Sequence, residues 1–460
     1  MEGLEISALK YSYVLNDNPF KRVDSEYFKK EYLYLLKELK NLRPLEVFVK
    51  DGYRVVYENT EIVDSVDNDN PYFLQATDIT TPFVKTEKLF CVHKSDWERY
   101  PKGRIAKGEL LIEVKGKAEK VAIVPENMPE RTLVSGSLYK LSVNNLIDKY
   151  TLLTYLVSKY GMSFKERFKT NLLISFISKS DLYRIPIPEF PEYIQAKIRN
   201  HYSLIFAKSE ESKNLYSSAE TYLLECLGMT DFAANPEAYN VKSLKESFLA
   251  TGRFDSEYYL PKYEDYCRLV QSYPNGYGKV GDFFTPIKDN FITTSEICKY
   301  IEIGNIDVSN GEITYNDINV DELPANAKIK VKKDDVLIST VRPNRGAVAI
   351  ITREGDDMVA SGAFTVLREQ KSIKKEVLQV LLRTGFYKDW LLQANTGCSY
   401  PVIKDEDILN LPIPIIRKEV QDEIAEHIQK SFSLRKEARQ LLEDAKLTVE
   451  RVVEIGGVNR

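Results

Sequence analysis

The feature that most limits what this chain can fold into is a low-identity repeat of about half its length. Asp24-Ser25-Glu26-Tyr27 returns as Asp255-Ser256-Glu257-Tyr258. Ile185-Pro186-Ile187-Pro188 returns as Leu411-Pro412-Ile413-Pro414, a displacement of 226 (411 − 185). The same displacement carries Ser135-Gly136 onto Ser361-Gly362, Thr170 onto Thr396, Gln195 onto Gln421, Ile198 onto Ile424 and His201 onto His427. Such a period is too long for a solenoid repeat. Two tandem copies of a domain-sized unit predict a pseudo-two-fold molecule, and that symmetry suits a partner with two half-sites.

Each copy reads as a mixed, strand-rich region followed by a long helix. Short β-branched runs bounded by Gly, Pro, Asn and Asp predict strands at 72–76, 109–114 and 120–124, and again at 300–303, 335–341 and 347–351. Helices are expected near 149–160 and 375–384. Each Pro-Ile-Pro then stops the preceding structure, because proline lacks an N–H and biases its neighbour to extended geometry. Long helices follow, over roughly 191–227 and 417–455. Their apolar seams step by fours and threes: Ile194, Ile198, His201, Ile205, Lys208, Ser212 and Leu215 in one, Val420, Ile424, His427, Ser431, Leu434, Ala438 and Leu441 in the other. That is heptad spacing. Small residues at Ser212, Ala219, Ala438 and Ala445 allow close approach. A two-fold relation would make the pair antiparallel and set the strand-rich regions at opposite ends of a rod about 55 Å long. Half-sites one turn of B-DNA apart, about 34–36 Å, are compatible with that length.

Bulk properties exclude some classes. Among 460 residues the apolar fraction is 43% and the aromatic fraction 11%, a globular balance. No window holds the eighteen or so unbroken apolar residues of a membrane span. The acidic start Met1-Glu2-Gly3-Leu4-Glu5 lacks an apolar leader core, and five scattered cysteines contain no Cys-x-x-Cys pair. A cytoplasmic, reducing location without disulfide or zinc framework is therefore expected. The net charge of −4 argues weakly against a nucleic-acid binder, since local cations rather than their sum decide binding.

Several constellations carry candidate chemistry. A basic turn holds Arg342, Asn344 and Arg345 around Pro343 and Gly346; its counterpart holds Lys115, Lys117 and Lys120 around Gly116. Arginine's planar fork suits guanine and phosphate, and lysine suits phosphate. A second candidate is Thr396-Gly397-Cys398-Ser399-Tyr400-Pro401 with Lys404, where glycine lets backbone amides approach an anion. Ordinary solvated loops are the competing reading of both, and Cys398 reads as a bystander. The alternation of Lys328, Lys330, Lys332 and Lys333 reads as one face of a strand or extended loop, a solvated edge by default, with DNA contact as the competing reading. His201 and His427 read as hydrogen-bonded seam residues, with no spacing that supports a metal site. Glu113 and Lys115 resemble the acid-x-lysine strand of metal-dependent nucleases, with Asp96 or Glu98 as a candidate upstream acid. The second copy has Ser339 and Val341 there. Asn18-Pro19-Phe20 and Asn70-Pro71-Tyr72 echo an amino-methyltransferase loop but lack its second proline. No P-loop, GxGxxG or HExxH occurs.

The duplicated Pro-Ile-Pro-plus-helix segments, the Asp-Ser-Glu-Tyr openings, the run 337–346 and the segment 396–401 together resemble the specificity subunits of Type I restriction–modification systems. The first copy departs from the pattern, with Thr170-Asn171-Leu172 at the place of Thr396-Gly397-Cys398 and Val114-Lys115-Gly116 at that of Thr340-Val341-Arg342. The resemblance implies an α+β fold: two strand-rich target recognition domains with pseudo-two-fold symmetry, separated by a pair of long antiparallel coiled-coil-like helices. The domains would be 1–184 and 232–410, with helical spacers 185–231 and 411–460. It further implies a non-catalytic subunit that reads a split double-stranded DNA site. Two methyltransferase subunits, themselves the binders of S-adenosylmethionine, would dock on the helices, and restriction translocase subunits would join them. Contacts with DNA fall to Arg342, Asn344, Arg345, Lys115, Lys117, Lys120, Thr396, Ser399, Tyr400 and Lys404. Helix and subunit contacts fall to Ile198, His201, Leu215, Ile424, His427 and Leu441. The rival expectations are a nuclease using Glu113 and Lys115, and a scaffold or specificity partner of another phage-defence system.

Overall fold

A computed structural model describes residues 8–16, 21–39, 42–63, 69–170, 173–293, 295–397 and 399–458. Met1 to Glu5, Asn18-Pro19-Phe20, Asn171, Leu172 and Cys398, singled out above, lie outside the described residues. The chain forms two compact units, residues 1–207 with 437–460, and residues 208–436. These units differ in outline from the four sequence-based segments, because each takes half of both long helices.

The first unit has an antiparallel four-stranded sheet in the order Val49–Tyr53, Leu138–Val143, Leu110–Glu113, Val121–Ile123. The second unit repeats it as Phe284–Ile287, Phe364–Glu369, Val336–Ser339, Val348–Ile350. The expected runs at 109–114 and 335–341 supply the third strands, and every residue of Leu110–Glu113 and Val336–Ser339 is buried. Period two explains why such strands are continuously apolar. Leu110 and Ile112 enter the core beneath the helices, while Leu111 enters a separate core under the second sheet. Val336 and Ile338 divide from Leu337 in the same way.

The buried acid at the mouth of each strand is also duplicated. Glu109 accepts the Ala106 amide at 2.8 Å and pairs with Lys140 at 3.2 Å. Asp335 accepts the Lys332 amide at 2.9 Å and takes both Arg368 guanidinium bonds, at 2.8 and 2.9 Å.

The second sheets share three strands and differ in the fourth. Thr132–Val134 runs parallel to Tyr72–Leu74, which pairs antiparallel with Phe90–Val92. Met358–Ser361, Ile297–Ile301 and Asn316–Asn319 repeat that set. The first unit adds Ile62–Val63 beyond Phe90–Val92, whereas the second adds Ala327–Lys330 on the opposite edge. A single bridge, Arg104 to Leu133, stands in the first unit where Lys330 pairs with Val359 in the second.

Each Pro-Ile-Pro does more than stop a segment: it forms a strand of its own. Pro186–Ile187 pairs with Arg43–Pro44, and Pro412–Pro414 with Tyr277–Lys279. Two-stranded ladders tolerate proline because one side of each strand needs no partner. Their central isoleucines, Ile187 and Ile413, are fully buried.

The long helices span Glu192–Cys226 and Lys418–Val458. In the first unit Lys197 Nζ reaches Thr448 Oγ1 at 3.3 Å, and Ile198, Ile205, Ala445 and Val449 share one core. In the second unit Ser212 Oγ bonds the Ser431 carbonyl at 3.1 Å, and Ser431 Oγ bonds the Ser212 carbonyl at 2.9 Å. Farther along, Tyr222 meets Glu423. Numbering rises on one helix as it falls on the other, so the paired segments are antiparallel. Arg435 Nε donates to Ser212 Oγ at 2.9 Å and its Nη1 to the Asn310 carbonyl at 3.2 Å, so this crossing is polar and tied to a loop of the second unit.

Candidate nucleic-acid interface

In each unit the two separately read loops join. Arg342 N–H donates to the Pro401 carbonyl at 2.7 Å, Ile403 N–H to Thr340 at 2.9 Å, and Val341 bridges Val402. In the first unit Gly116 N–H donates to Ser175 at 2.9 Å, Ile177 N–H to Val114 at 2.8 Å, and Lys115 bridges Phe176. Each of these contacts maps onto its counterpart at the displacement of 226. The basic turn and the Thr-Gly-Cys-Ser-Tyr-Pro loop are therefore one two-loop platform, built twice on the same backbone bonds.

In the second platform Arg342, Asn344 and Arg345 are exposed while Pro343 is buried beneath them. Arg342 has φ +50, a left-handed conformation that costs a non-glycine residue about 1–2 kcal/mol. Strain of this kind accumulates where surroundings over-determine a functional geometry. Its guanidinium lies 5.3 Å from the centre of the Tyr400 ring, and Tyr400 is itself exposed. Asn395 Oδ1 closes the loop by accepting the amides of Gly397 and Val402 at 2.8 and 2.9 Å. A Cβ on Gly397 would meet the Tyr400 carbonyl oxygen at 2.0 Å, so this turn requires glycine. Thr396 and Ser399 are exposed on the loop, and Lys404 is exposed ahead of the helix Asp405–Leu409.

In the first platform Gly116 occupies the place of Arg342 with φ +75, so the left-handed turn is unstrained there. Lys117 is exposed and Lys115 half-buried. Lys120 is placed differently: its Nζ donates to the Ala76 carbonyl at 2.9 Å, so its ammonium ties the turn to a neighbouring loop. In the second unit Lys330 and Lys333 of the expected cationic edge face Asp356 and Glu354.

Two arginines that the sequence reading passed over hold these loops. Arg253 forms a two-bond pair with Asp255 and donates to the carbonyls of Ala394 and Asn395, at 3.3 and 2.7 Å. Arg22 pairs with Asp24 in the same way and donates to Lys169 at 2.8 Å. The residues gripped directly precede Thr396 and Thr170. Each guanidinium holds its aspartate below the usual carboxylate range, by hydrogen bonding first. The available signal was Arg-x-Asp-Ser-Glu-Tyr, present in both copies.

Glu113 is spent on the turn beside it, where its Oε2 accepts the amides of Glu119 and Lys120 at 3.0 and 3.2 Å. Lys165 lies beneath, 1% exposed, with Nζ on the Glu119 carbonyl at 3.0 Å. Burial pushes its ammonium down to about 7, against the pull of Glu113 and Glu119. Among the described residues no three His, Cys, Asp or Glu side chains gather as a metal site. His201 and His427 occupy the helices of different units. The hydrogen bonds expected of these seam histidines are not made at Nδ1, which in both finds no partner among the described residues. Burial, then the Lys197 charge, lowers the His201 imidazole from its ordinary value. Ile198 and Ile424 are fully buried seam residues, while Leu215 and Leu441 are half-buried. Among the described residues no helix is long and apolar enough to cross a membrane.

Residues 275–444 match the Type I restriction modification DNA specificity domain. The Type I restriction enzyme HindI specificity subunit of Haemophilus influenzae is 32% identical over 127 residues, 26% of this chain. The match spans 28% of that relative's length. The S subunit of a Type I restriction-modification system from M. genitalium superposes with a TM-score of 0.40 at 14% identity, over 91% of this chain and 96% of that one. The HsdS subunit from Thermoanaerobacter tengcongensis gives 0.27 at 13% identity, over 90% and 97%. The resemblance read from the motifs stands on the family match and the Haemophilus relative: the chain is similar to Type I specificity subunits.

Proposed function

We propose that this chain is the DNA-reading, non-catalytic specificity subunit of a Type I restriction–modification complex. Each unit presents its two-loop platform to one half of a split double-stranded site. The observation that carries the reading is the duplication of the backbone bonds that join the two loops of each platform, with cationic side chains left exposed on both. A backbone frame held constant while its exposed residues change is what two readers of different half-sites require.

Roles follow from chemistry. Arg342 and Arg345 offer planar forks to guanine edges or phosphates, and Asn344 offers an amide to adenine. Lys115, Lys117 and Lys404 act as phosphate contacts that set register, and Lys120 braces the turn. Thr396, Ser399 and Tyr400 supply hydroxyls on the facing loop. The long helices, through seams that include Ile198, Leu215, Ile424 and Leu441, hold the units and dock two methyltransferase subunits. Those subunits bind S-adenosylmethionine and flip an adenine in each half, and translocase subunits complete the restriction enzyme.

The test is to co-express the chain with an N6-adenine methyltransferase subunit encoded beside it and to sequence the methylome. One split motif, methylated in both halves and lost when this chain is omitted, is the expected result. Methylation without any split motif, or unchanged when the chain is omitted, overturns the proposal.

A further inference from the structure

At the tip of the second loop the platforms differ in chemical kind. Ser399 and Tyr400 in the second unit correspond to Leu173 and Ile174 in the first. On either side of both tips the described backbone bonds match, Thr170 N–H donating to the Phe176 carbonyl at 3.0 Å and Thr396 N–H to the Val402 carbonyl at 2.9 Å. Yet Leu173 is 105% exposed and Ile174 68%, two consecutive large aliphatic side chains held in water. Single exposed apolar residues are commonplace on proteins; a consecutive pair at the tip of a pinned loop is a small apolar surface awaiting a partner. The surface is not isolated. The facing turn carries Lys115 and Lys117, with Glu119 at its far end, and Gly116 is hydrogen-bonded to Ser175, the residue after Ile174. Cations beside an exposed aliphatic tip match a polyanion that offers an apolar group among its phosphates. Duplex DNA offers one, the thymine C5-methyl in the major groove, which is read by apolar contact and by no hydrogen bond.

We propose that Leu173 and Ile174 read thymine by its methyl group in the half-site bound by the first unit, an inference that rests on the DNA-reading role proposed above. The second unit, with Ser399, Tyr400 and Arg342 at the equivalent places, reads through polar and charged groups. The two heads then differ in chemistry as well as in sequence: one recognises a methyl, the other hydrogen-bonding edges.

The test uses the full chain in complex with its methyltransferase subunits and duplexes carrying the methylome-defined split site. The half read by the first unit is the one whose recognition survives Arg342→Ala. In that half each thymine, on either strand, is replaced in turn by deoxyuridine, which lacks only the methyl. At one or more positions the wild-type complex should bind about fourfold more weakly, the worth of one methyl group taken out of water. A Leu173→Ser, Ile174→Ser double variant should bind the thymine and deoxyuridine duplexes equally. Both substituted side chains are exposed, so the fold is expected to survive, and unaltered discrimination in the other half-site checks this. The inference is overturned if no deoxyuridine position weakens the wild type, if the double variant loses as much as the wild type, or if that half-site has no thymine on either strand. A complex that binds no split site at all overturns the DNA-reading role itself, a result distinct from binding that ignores the methyl.

Discussion

Arg342 and Gly116 occupy one backbone position in two settings, and the contrast separates stability from reading. The left-handed geometry costs arginine about 1–2 kcal/mol and glycine little, while the exposed stack on Tyr400 returns about 0.5–1 kcal/mol. Arg342→Gly is therefore expected to leave stability within about 1 kcal/mol of wild type, read by thermal melting, yet to weaken binding to one half-site by roughly 1–3 kcal/mol. A large fall in melting temperature would contradict the assignment of Arg342 to reading rather than packing. Lys165 makes a pH prediction. Its folded value near 7 lies below the unfolded lysine value of 10.5, so the unfolded chain binds more protons between them. The penalty is full below pH 7 and is relieved as pH rises toward 10.5, so the first unit gains stability over that window. Lys165→Met should flatten the rise, measured by denaturant melts at pH 7 and 9; an equal rise in both proteins would show that Lys165 is not its source. The lysines and arginines of the turns were legible as cations in the sequence. The gripping roles of Arg22 and Arg253 were not, because their targets are backbone carbonyls about 140 residues away, which no side-chain pattern records.

Among the elements, Leu110–Glu113 and Val336–Ser339 were legible because burial on both faces writes an unbroken apolar run. The long helices were legible to within a few residues because heptad spacing persists over many turns and proline marks where each begins. Of the fourth strands, Ile62–Val63 was not separable from a loop because two residues write no period, whereas Ala327–Lys330 showed in the alternating lysines as a strand edge or extended loop whose partner was not legible. The Pro-Ile-Pro strands were hidden by proline's usual meaning as a stop. The buried acids at the strand mouths give a stability test. Asp335 is fully buried and held by Arg368, whose side chain is about a third exposed. Removing the arginine leaves a buried carboxylate with its Lys332 amide and no cation. Arg368→Leu should destabilise the second unit by about 2–4 kcal/mol, a buried-pair loss discounted for the partner's exposure. Asp335→Asn in the Arg368→Leu background should recover part of the loss. No recovery would place the effect in packing rather than charge.

For the whole molecule, the displacement of 226 read from the sequence also relates the bonds that join the platform loops and the bonds from the Asp148 and Lys374 amides to Gln195 and Gln421, while several strands sit one or more residues off it. The outline of the compact units was not predictable in that way. Chain order shows where a helix starts, whereas lateral packing decides that each unit takes half of both long helices. A net charge of −4 does not oppose a cationic reading surface, because the surface is local. Affinity for a split duplex should fall steeply with added salt as phosphate contacts release counterions, and salt-independent binding would favour a scaffold over a DNA reader. On the function proposed above, two homologous units read two half-sites independently. The most direct test of that independence is the methylome written by the complex carrying Arg342→Ala with Arg345→Ala, compared with wild type. Independence predicts that bases become degenerate in one half of the split motif while the other half and the spacing stay unchanged. Equal degeneracy in both halves, or a motif identical to wild type, would contradict it.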